Sequence, residues 1–308
     1  VTKAIVFYHA ECSDGMGAAW AMHQALGKDA EYIACHYKGP ETLVSVFDKD
    51  VYFVDFSVPR ADLMHLCKSA KSVTVDDHHK SAKDDLDNSS GWAPANCTIN
   101  FDMGKAGCRL AWERAKKLGV TSGWMTTAHS SLRSATDLPV MLQYIEDRDL
   151  WRWNLPDSKQ INAWIQMQPY AIQAYEALAL NMEHPAGFAA VLAAGGAIYA
   201  YNATVCEKQA RQLVRRTWEG HRVLYGNVAH LVSETASRAL EMFDDVDLTL
   251  TYFDLAARQE GPGKRIHSMR ARSGGVDVSA IAKRHGGGGH PAAAGFEHTV
   301  YENVLDFT

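Results

Sequence analysis

The sequence predicts an α/β protein of two domains, the first built on a parallel sheet with helices on both faces. Three observations predict it. The 308 residues exceed one ordinary domain and suffice for two separate cores. In the first half, short apolar runs recur, each followed by a polar cluster and a helix-like segment, as expected of strands buried on both faces. After Gly220 the pattern changes to strand-like runs separated by Gly/Pro turns, as expected of a second, smaller α/β domain. The expected borders are 1–180 for the first domain, 181–218 for a helical connector and 219–308 for the second domain.

Each element follows from its residues. Ala4 to Tyr8, Val51 to Val54 and Val73 to Val75 read as buried strands, and Glu31 to Tyr37 reads as a further strand of the same sheet. Gly15 to Leu26 and Ala106 to Leu118 read as covering helices. Leu138-Pro139 opens another helix through Tyr144, with proline where a first turn tolerates it, and Glu146, Asp147 and Asp149 follow. Ala171 to Trp218 looks helical throughout, placing Lys208, Arg211 and Arg215 on one face as solvated charge. Within it, Pro185 to Ala203 is Ala/Gly-rich with few large apolar side chains and reads as a packed helix, not a membrane span. Arg222 to Tyr225 and Asp247 to Phe253 read as strands, followed by the turn Gly261-Pro262-Gly263 and by Arg270-Ala271-Arg272-Ser273.

Composition narrows the function. A hydrophobic fraction of 47% with 22% charged residues excludes disordered and fibrous classes. Six cysteines without a Cys-x-x-Cys pair argue against a disulfide framework and a thiolate zinc cage. The opening residues resemble neither a signal peptide nor a transit helix, so a cytoplasmic location is expected. A net charge of −5 disfavours long nucleic acid, whose binding rests on Lys and Arg, and leaves a small anionic substrate open. A membrane partner is not expected, and a homodimer is compatible with the reading.

The chemistry sits at the strand ends. His9 follows the first run, Asp55 the second, and Asp76-Asp77-His78-His79 the third. In open parallel sheets, ligands bind beyond the carboxyl ends of the strands, so these clusters should converge on one crevice. With Asp14 and a late carboxylate, Asp147 or Asp149, they supply mixed imidazole and carboxylate ligands that suit manganese or a similar divalent ion, with Asp55 able to bridge two. An acid-His-His triplet alone is more often ordinary polar packing; the other strand ends reverse that weighting. Four successive glycines, Gly286 to Gly289, precede His290-Pro291-Ala292-Ala293-Ala294-Gly295. Lacking side chains, they allow backbone amides to approach an anion, and they lack the Lys and Ser/Thr of a Walker loop.

The order His9, Asp14-Gly15, Asp55, Asp77-His78-His79, a late Asp, Arg272-Ser273 and Gly286 to Gly295 resembles the DHH phosphoesterase superfamily with a C-terminal DHHA1 domain. The resemblance spans residues 4 to 296. It implies a manganese-dependent phosphodiesterase, with two ions and with Mg2+ or another divalent ion as substitutes. Among the family's phosphodiesters and phosphoanhydrides, cyclic dinucleotides or short linear dinucleotides are the expected substrates, because the two-domain length offers no added module for tracking a long strand. The alternatives are exopolyphosphatase-like hydrolysis and a catalytically impaired nucleotide-binding protein.

Carried over by position, His9, Asp14, Asp55, His78 and Asp147 become metal ligands, with Asp149 as the substitute for Asp147. His79 becomes a phosphate contact and Asp77 the support of the histidines. Arg272, Ser273, Gly287, Gly288, Gly289 and His290 become substrate contacts, Arg272 as a bidentate phosphate clamp. Chemistry on one domain and grip on the other imply a cleft that closes. One departure stands out: where the family carries Asp-x-Asp-Gly, this chain reads Cys12-Ser13-Asp14-Gly15. Cys12 or Glu11 is then expected to complete the first metal site, with weaker metal retention.

Overall fold

The computed structural model describes residues 3–36, 44–120, 137–257, 262–300, 305 and 307. Its first sheet holds β1 (Ala4–His9), β2 (Ala30–Cys35), β3 (Asp50–Val54), β4 (Ser72–Asp77) and β5 (Cys97–Phe101), all parallel, in the order β2-β1-β3-β4-β5. The helices are α1 (Ser13–Leu26), α2 (Arg60–Cys67), α3 (Lys80–Asp85), α4 (Gly107–Leu118), α5 (Val140–Asp149), α6 (Ser158–Ile165), α7 (Ile172–Met182) and α8 (Pro185–Ala210).

Alternation along the strands explains the layering. Ala4 and Val6 of β1 and Tyr52 and Val54 of β3 enter one core with Met16, Trp20, Trp112 and Leu142 from α1, α4 and α5. Ile5, Phe7, Val51 and Phe53 enter the other with Leu63 and Cys67 of α2. Both faces are therefore covered, as the unbroken apolar runs require. The strand order reverses between β1 and β3, a topological switch point whose carboxyl-end crevice is the usual ligand position. Register aligns the crevice residues. Tyr8 pairs with Val54 and Val54 with Asp76, so His9, Asp55 and Asp77 leave the sheet on one level.

The second sheet contains β6 (Val214–Trp218), β7 (His221–Asn227), β8 (Leu248–Leu255), β9 (Lys264–Ala271), β10 (Gly288–His290) and β11 (Ala293–Thr299), in the order β10-β11-β9-β8-β7-β6. Only the β7–β8 pair is parallel. Val223, Leu250, Met269 and Phe296 pack with Ile281 of α10 (Val278–Arg284), and Leu224 packs with Ala239 and Leu240 of α9 (Val232–Met242).

Several expectations need correction. The chain divides into Val1–Tyr199 and Ala200–Thr308, so the border falls inside α8 rather than at 180 or 218. Helix does not continue to Trp218, because the β-favouring Val214-Arg215-Arg216-Thr217-Trp218 forms β6 against β7. Arg215 therefore shares no helix face with Lys208 and Arg211; it pairs with Asp245 at 2.8 Å, while Arg211 pairs with Glu207 at 2.7 Å. The segment from Pro185 is a helix but not a packed one, since its most apolar 18-residue window is only 11% buried. Among the described residues, α8 is the helix long and apolar enough to cross a membrane by length and composition. Tyr37 and Gly261 lie outside the described residues.

Candidate metal centre

The turn from β1 into α1 carries the first donors. His9 ends the strand, Glu11 adopts a left-handed φ of 51°, Cys12 is extended immediately before the helix, and Asp14 lies in its first turn. Gly15 is required sterically, because a Cβ there would overlap the main chain of His9. Asp14 is held by the helix packed beside α1: Gly107 and Cys108 at the start of α4 donate backbone N–H bonds of 2.7 and 2.9 Å to its two carboxylate oxygens. A carboxylate is favoured there by the unpaired amides and dipole of the helix N-terminus. Gly107 also fits against Asp55, whose Cβ a side chain at 107 would strike. Asp55 itself has φ 53°, a conformation costly for a non-glycine residue and concentrated at functional sites.

Around this frame the predicted donors converge. The Nε2 of His78 lies 3.0 Å from Asp55 Oδ1, 3.6 Å from Asp14 Oδ2 and 3.6 Å from Asp149 Oδ2. The Nδ1 of His9 lies 3.7 Å from Asp55 Oδ2, too far for a hydrogen bond. Among the described residues of this unit, Asp55–Asp77–His78–His79 is one group whose donor atoms lie within 4.8 Å of one another, and in it Asp77 is taken up by the turn; two others meet the same limit, His9–Cys12–Asp55 and Asp14–His78–Asp149. Asp55 joins them through its contact with His78. Two ligands on opposite sides of an ion, each about 2.2 Å away, are about 4.4 Å apart, so both groups have the span of a coordination shell.

The unsatisfied polar atoms point the same way. Asp55 Oδ2 and Asp149 Oδ2 are buried and have no hydrogen-bond partner among the described residues. Leaving carboxylate oxygens buried and unpaired is costly unless a cation meets them. Burial, followed by the charges of Asp55 and Asp149, pushes the carboxyl of Asp14 well up. Burial likewise raises Asp149, despite the opposing pull of His78. Burial alone would lower His78, but the Asp55 hydrogen bond and the charges of Asp149, Asp55 and Asp14 overcome it and raise it to about 11. Burial raises the Cys12 thiol, and the carboxylates of Asp55, Asp14 and Asp149 raise it further. The centre thus has an excess of negative potential that a proton on His78 only partly offsets. A divalent cation fits both its donor set and its charge.

Asp77 supports the turn that carries both histidines. One of its oxygens accepts the backbone N–H of His78 at 2.7 Å, the backbone N–H of His79 at 3.3 Å and the Nδ1–H of His79 at 2.7 Å. These bonds fix the chain after β4 and, when the His79 ring is neutral, assign its proton to Nδ1. Asp76 is structural: Arg114 meets its two oxygens at 2.8 and 3.0 Å, and Asn100 donates to it at 3.0 Å.

The late carboxylate that faces the donors is Asp149 rather than Asp147. Asp147 accepts backbone N–H bonds from Asn154 (2.9 Å) and Leu155 (3.3 Å) on its side chain and from Arg152 (2.8 Å) on its carbonyl. It organises the turn after α5 and belongs to none of the donor groups among the described residues. Two residues along a helix turn the side chain by about 200°, so only one of the pair faces the crevice.

In the second unit the clamp role expected for Arg272 is not what its geometry shows. Its guanidinium donates to the carbonyls of Val246 (2.6 Å), Leu240 (2.8 Å) and Phe243 (2.7 Å), fastening the end of α9 to the segment that enters β8. Ser273 is exposed in the turn that follows. The glycine run is not a loop of open amides either. Gly286 donates to the carbonyl of Lys283 at 3.2 Å and Gly287 to that of Ala282 at 2.8 Å, closing α10. Gly286 has the left-handed φ of 77° common just past a helix end, and Gly287 packs against Gly295 and Phe296 with no room for a side chain. Gly288, Gly289 and His290 form the edge strand β10, paired with Gly295, Ala294 and Ala293 of β11.

The sequence gives little sign of what Gly107 and the α4 amides contribute, since the only signal is a glycine at the start of a helix. Nor does it choose between Cys12 and Glu11, whereas the structure puts Cys12 in a donor group.

Comparison with known proteins agrees with this architecture. Residues 232–308 match the DHHA1 domain family. An uncharacterized protein, R106, of Acanthamoeba polyphaga mimivirus is 24% identical over 325 aligned positions, covering 98% of this chain and 69% of that protein. An exopolyphosphatase-related protein from Bacteroides fragilis superposes with a TM-score of 0.50 at 12% identity, covering 98% of this chain and 87% of that one. The DHH domain of a protein described as a member of the s1p family of ribosomal proteins gives 0.50 at 13% identity, covering 99% and 82%. Residues 232–308 thus form a DHHA1 domain, and the parallel-sheet unit whose fourth strand closes on Asp77-His78-His79 belongs to a chain that shares its fold with a DHH-domain structure and an exopolyphosphatase-related one.

Proposed function

We propose that this chain is a manganese-dependent phosphodiesterase that hydrolyses cyclic dinucleotides or short linear dinucleotides. The observation that carries the reading is the convergence of Asp14, Asp55, His78 and Asp149, with two buried carboxylate oxygens that have no hydrogen-bond partner among the described residues. Divalent ions held there would supply an acidified water and neutralise charge on the phosphoryl oxygens. The chain's own residues do the rest. Asp14, fixed by the α4 amides, and Asp55, fixed by its backbone, keep the donors in place without reorganisation. His79, oriented through Nδ1 by Asp77, directs Nε2 at the substrate, where the N–H of an imidazolium would donate to a phosphate oxygen. In this reading Ser273, His290 and the edge of β10 give the second unit its contacts with substrate, and Arg272 does not take part. The net charge of −5 favours a small substrate over a long polyanion.

Polyphosphate is the second reading, favoured by the fold shared with a protein described as exopolyphosphatase-related. Product analysis with manganese on cyclic dinucleotides, linear dinucleotides, mononucleotides and polyphosphate separates the two. Cleavage of a dinucleotide that disappears in Asp55→Ala and His78→Ala, both still folded, is expected. Tight nucleotide binding with no turnover on any of these substrates would replace the enzyme with a binding protein.

A further inference from the structure

Within the proposed metal centre, on which this inference rests, the two donor groups differ in chemistry. Asp14–His78–Asp149 offers oxygen and nitrogen, whereas His9–Cys12–Asp55 offers nitrogen, sulfur and oxygen. We propose that the second group is a thiolate subsite that takes a borderline-soft divalent ion, zinc or cobalt, in preference to manganese, so that the centre is built for two unlike ions.

Position and partners carry the proposal. Cys12 precedes the first turn of α1 with φ −129° and ψ 136°. Its sulfur lies within 4.8 Å of donors from His9 and Asp55. The positive end of α1 works in favour of a negative sulfur at that position, while burial and the neighbouring carboxylates oppose one until a cation neutralises them. Independently, Asp55 Oδ2, on a residue only 1% exposed, has no hydrogen-bond partner among the described residues and lies 3.7 Å from His9 Nδ1. Glu11 is exposed and contributes to no donor group among the described residues, so Cys12 is the residue that fills the place of the expected aspartate. Thiolate ligands select zinc and cobalt over manganese and magnesium, which prefer oxygen. When the sulfur–metal bond forms, the thiol proton leaves to solvent; the ion stays divalent and nothing is oxidised.

The test titrates the metal-free full chain with Co2+ and follows bound metal together with near-ultraviolet absorbance. Sulfur-to-cobalt charge transfer is expected in the wild type and is lost in Cys12→Ser and Cys12→Asp, whose folding is checked by circular dichroism. The preference for zinc over manganese should fall by at least about tenfold in Cys12→Asp. Bound cobalt without the charge-transfer band, or a band that persists in Cys12→Ser, overturns the thiolate subsite and leaves the metal centre standing. Failure to bind any cobalt removes the metal centre and the subsite together.

Discussion

Exchanging the two late aspartates one at a time separates a ligand from a scaffold. Asp149→Asn removes one carboxylate from a cluster in which His78 lies 3.6 Å from both Asp149 and Asp14. Opposite unit charges about 4 Å apart attract by about 4 kcal/mol at an effective dielectric constant of about 20. The remaining amide oxygen and the smaller cost of burying a neutral group offset part of that. A loss of roughly 1.4–2.8 kcal/mol follows, about ten- to hundredfold in the Kd for manganese. In the metal-free protein the sign reverses: removing a buried charge near Asp14 and Asp55 should raise the melting temperature by a few degrees, about 2–4 °C per kcal/mol. Asp147→Asn keeps an acceptor for only one of the Asn154 and Leu155 amides, costing about 1–2 kcal/mol with little effect on metal affinity. Calorimetric manganese titration and thermal melts with and without metal measure both. Loss of the metal-induced shift in Asp147→Asn, with Asp149→Asn unaffected, would refute the assignment.

Arg272→Ala should lower stability by about 1–3 kcal/mol, because three backbone carbonyls lose a charged donor at a partly solvated site, and should leave the KM of the folded enzyme within about twofold; a large rise in KM at unchanged stability would restore the clamp role. His267 is fully buried in the second unit, neither ring nitrogen has a hydrogen-bond partner among the described residues, and burial, with the charges of His298 and Arg265, lowers it to about 3. Its contribution to stability is complete above the unfolded pKa near 6.5 and is lost as pH falls from about 6.5 towards 3. His267→Phe should therefore flatten the acid limb of the stability curve and reduce the loss at pH 5 by up to about 2 kcal/mol, which denaturant melts at pH 5 and pH 8 would show.

The parallel sheet was legible because buried runs ending in His9, Asp55 and Asp77 leave few alternatives to strands covered on both faces. The same runs disclosed most of the centre, since chemistry at successive strand ends has one place to meet. What could not be read depended on contacts distant in sequence. Asp147 and Asp149 are equal as residue types, and only the turn formed by Asn154 and Leu155 separates them. Arg272 carries the same charge whether it meets phosphate or the carbonyls at the end of α9. The glycines at 286 and 287 serve a helix end and a tight contact with Phe296, which composition does not distinguish from an anion loop. Helix composition misled between Ala210 and Trp218, where pairing with β7 overrides a local pattern that extends from α8.

The bonds from Gly107 and Cys108 to Asp14 join residues 93 and 94 positions apart. Closing so long a loop must await the intervening strands, so the centre forms late in folding and not from any local fragment. A chain nicked or truncated within this span would lose its donors together, and during gradual denaturation ion binding should disappear in step with the whole first unit rather than ahead of it.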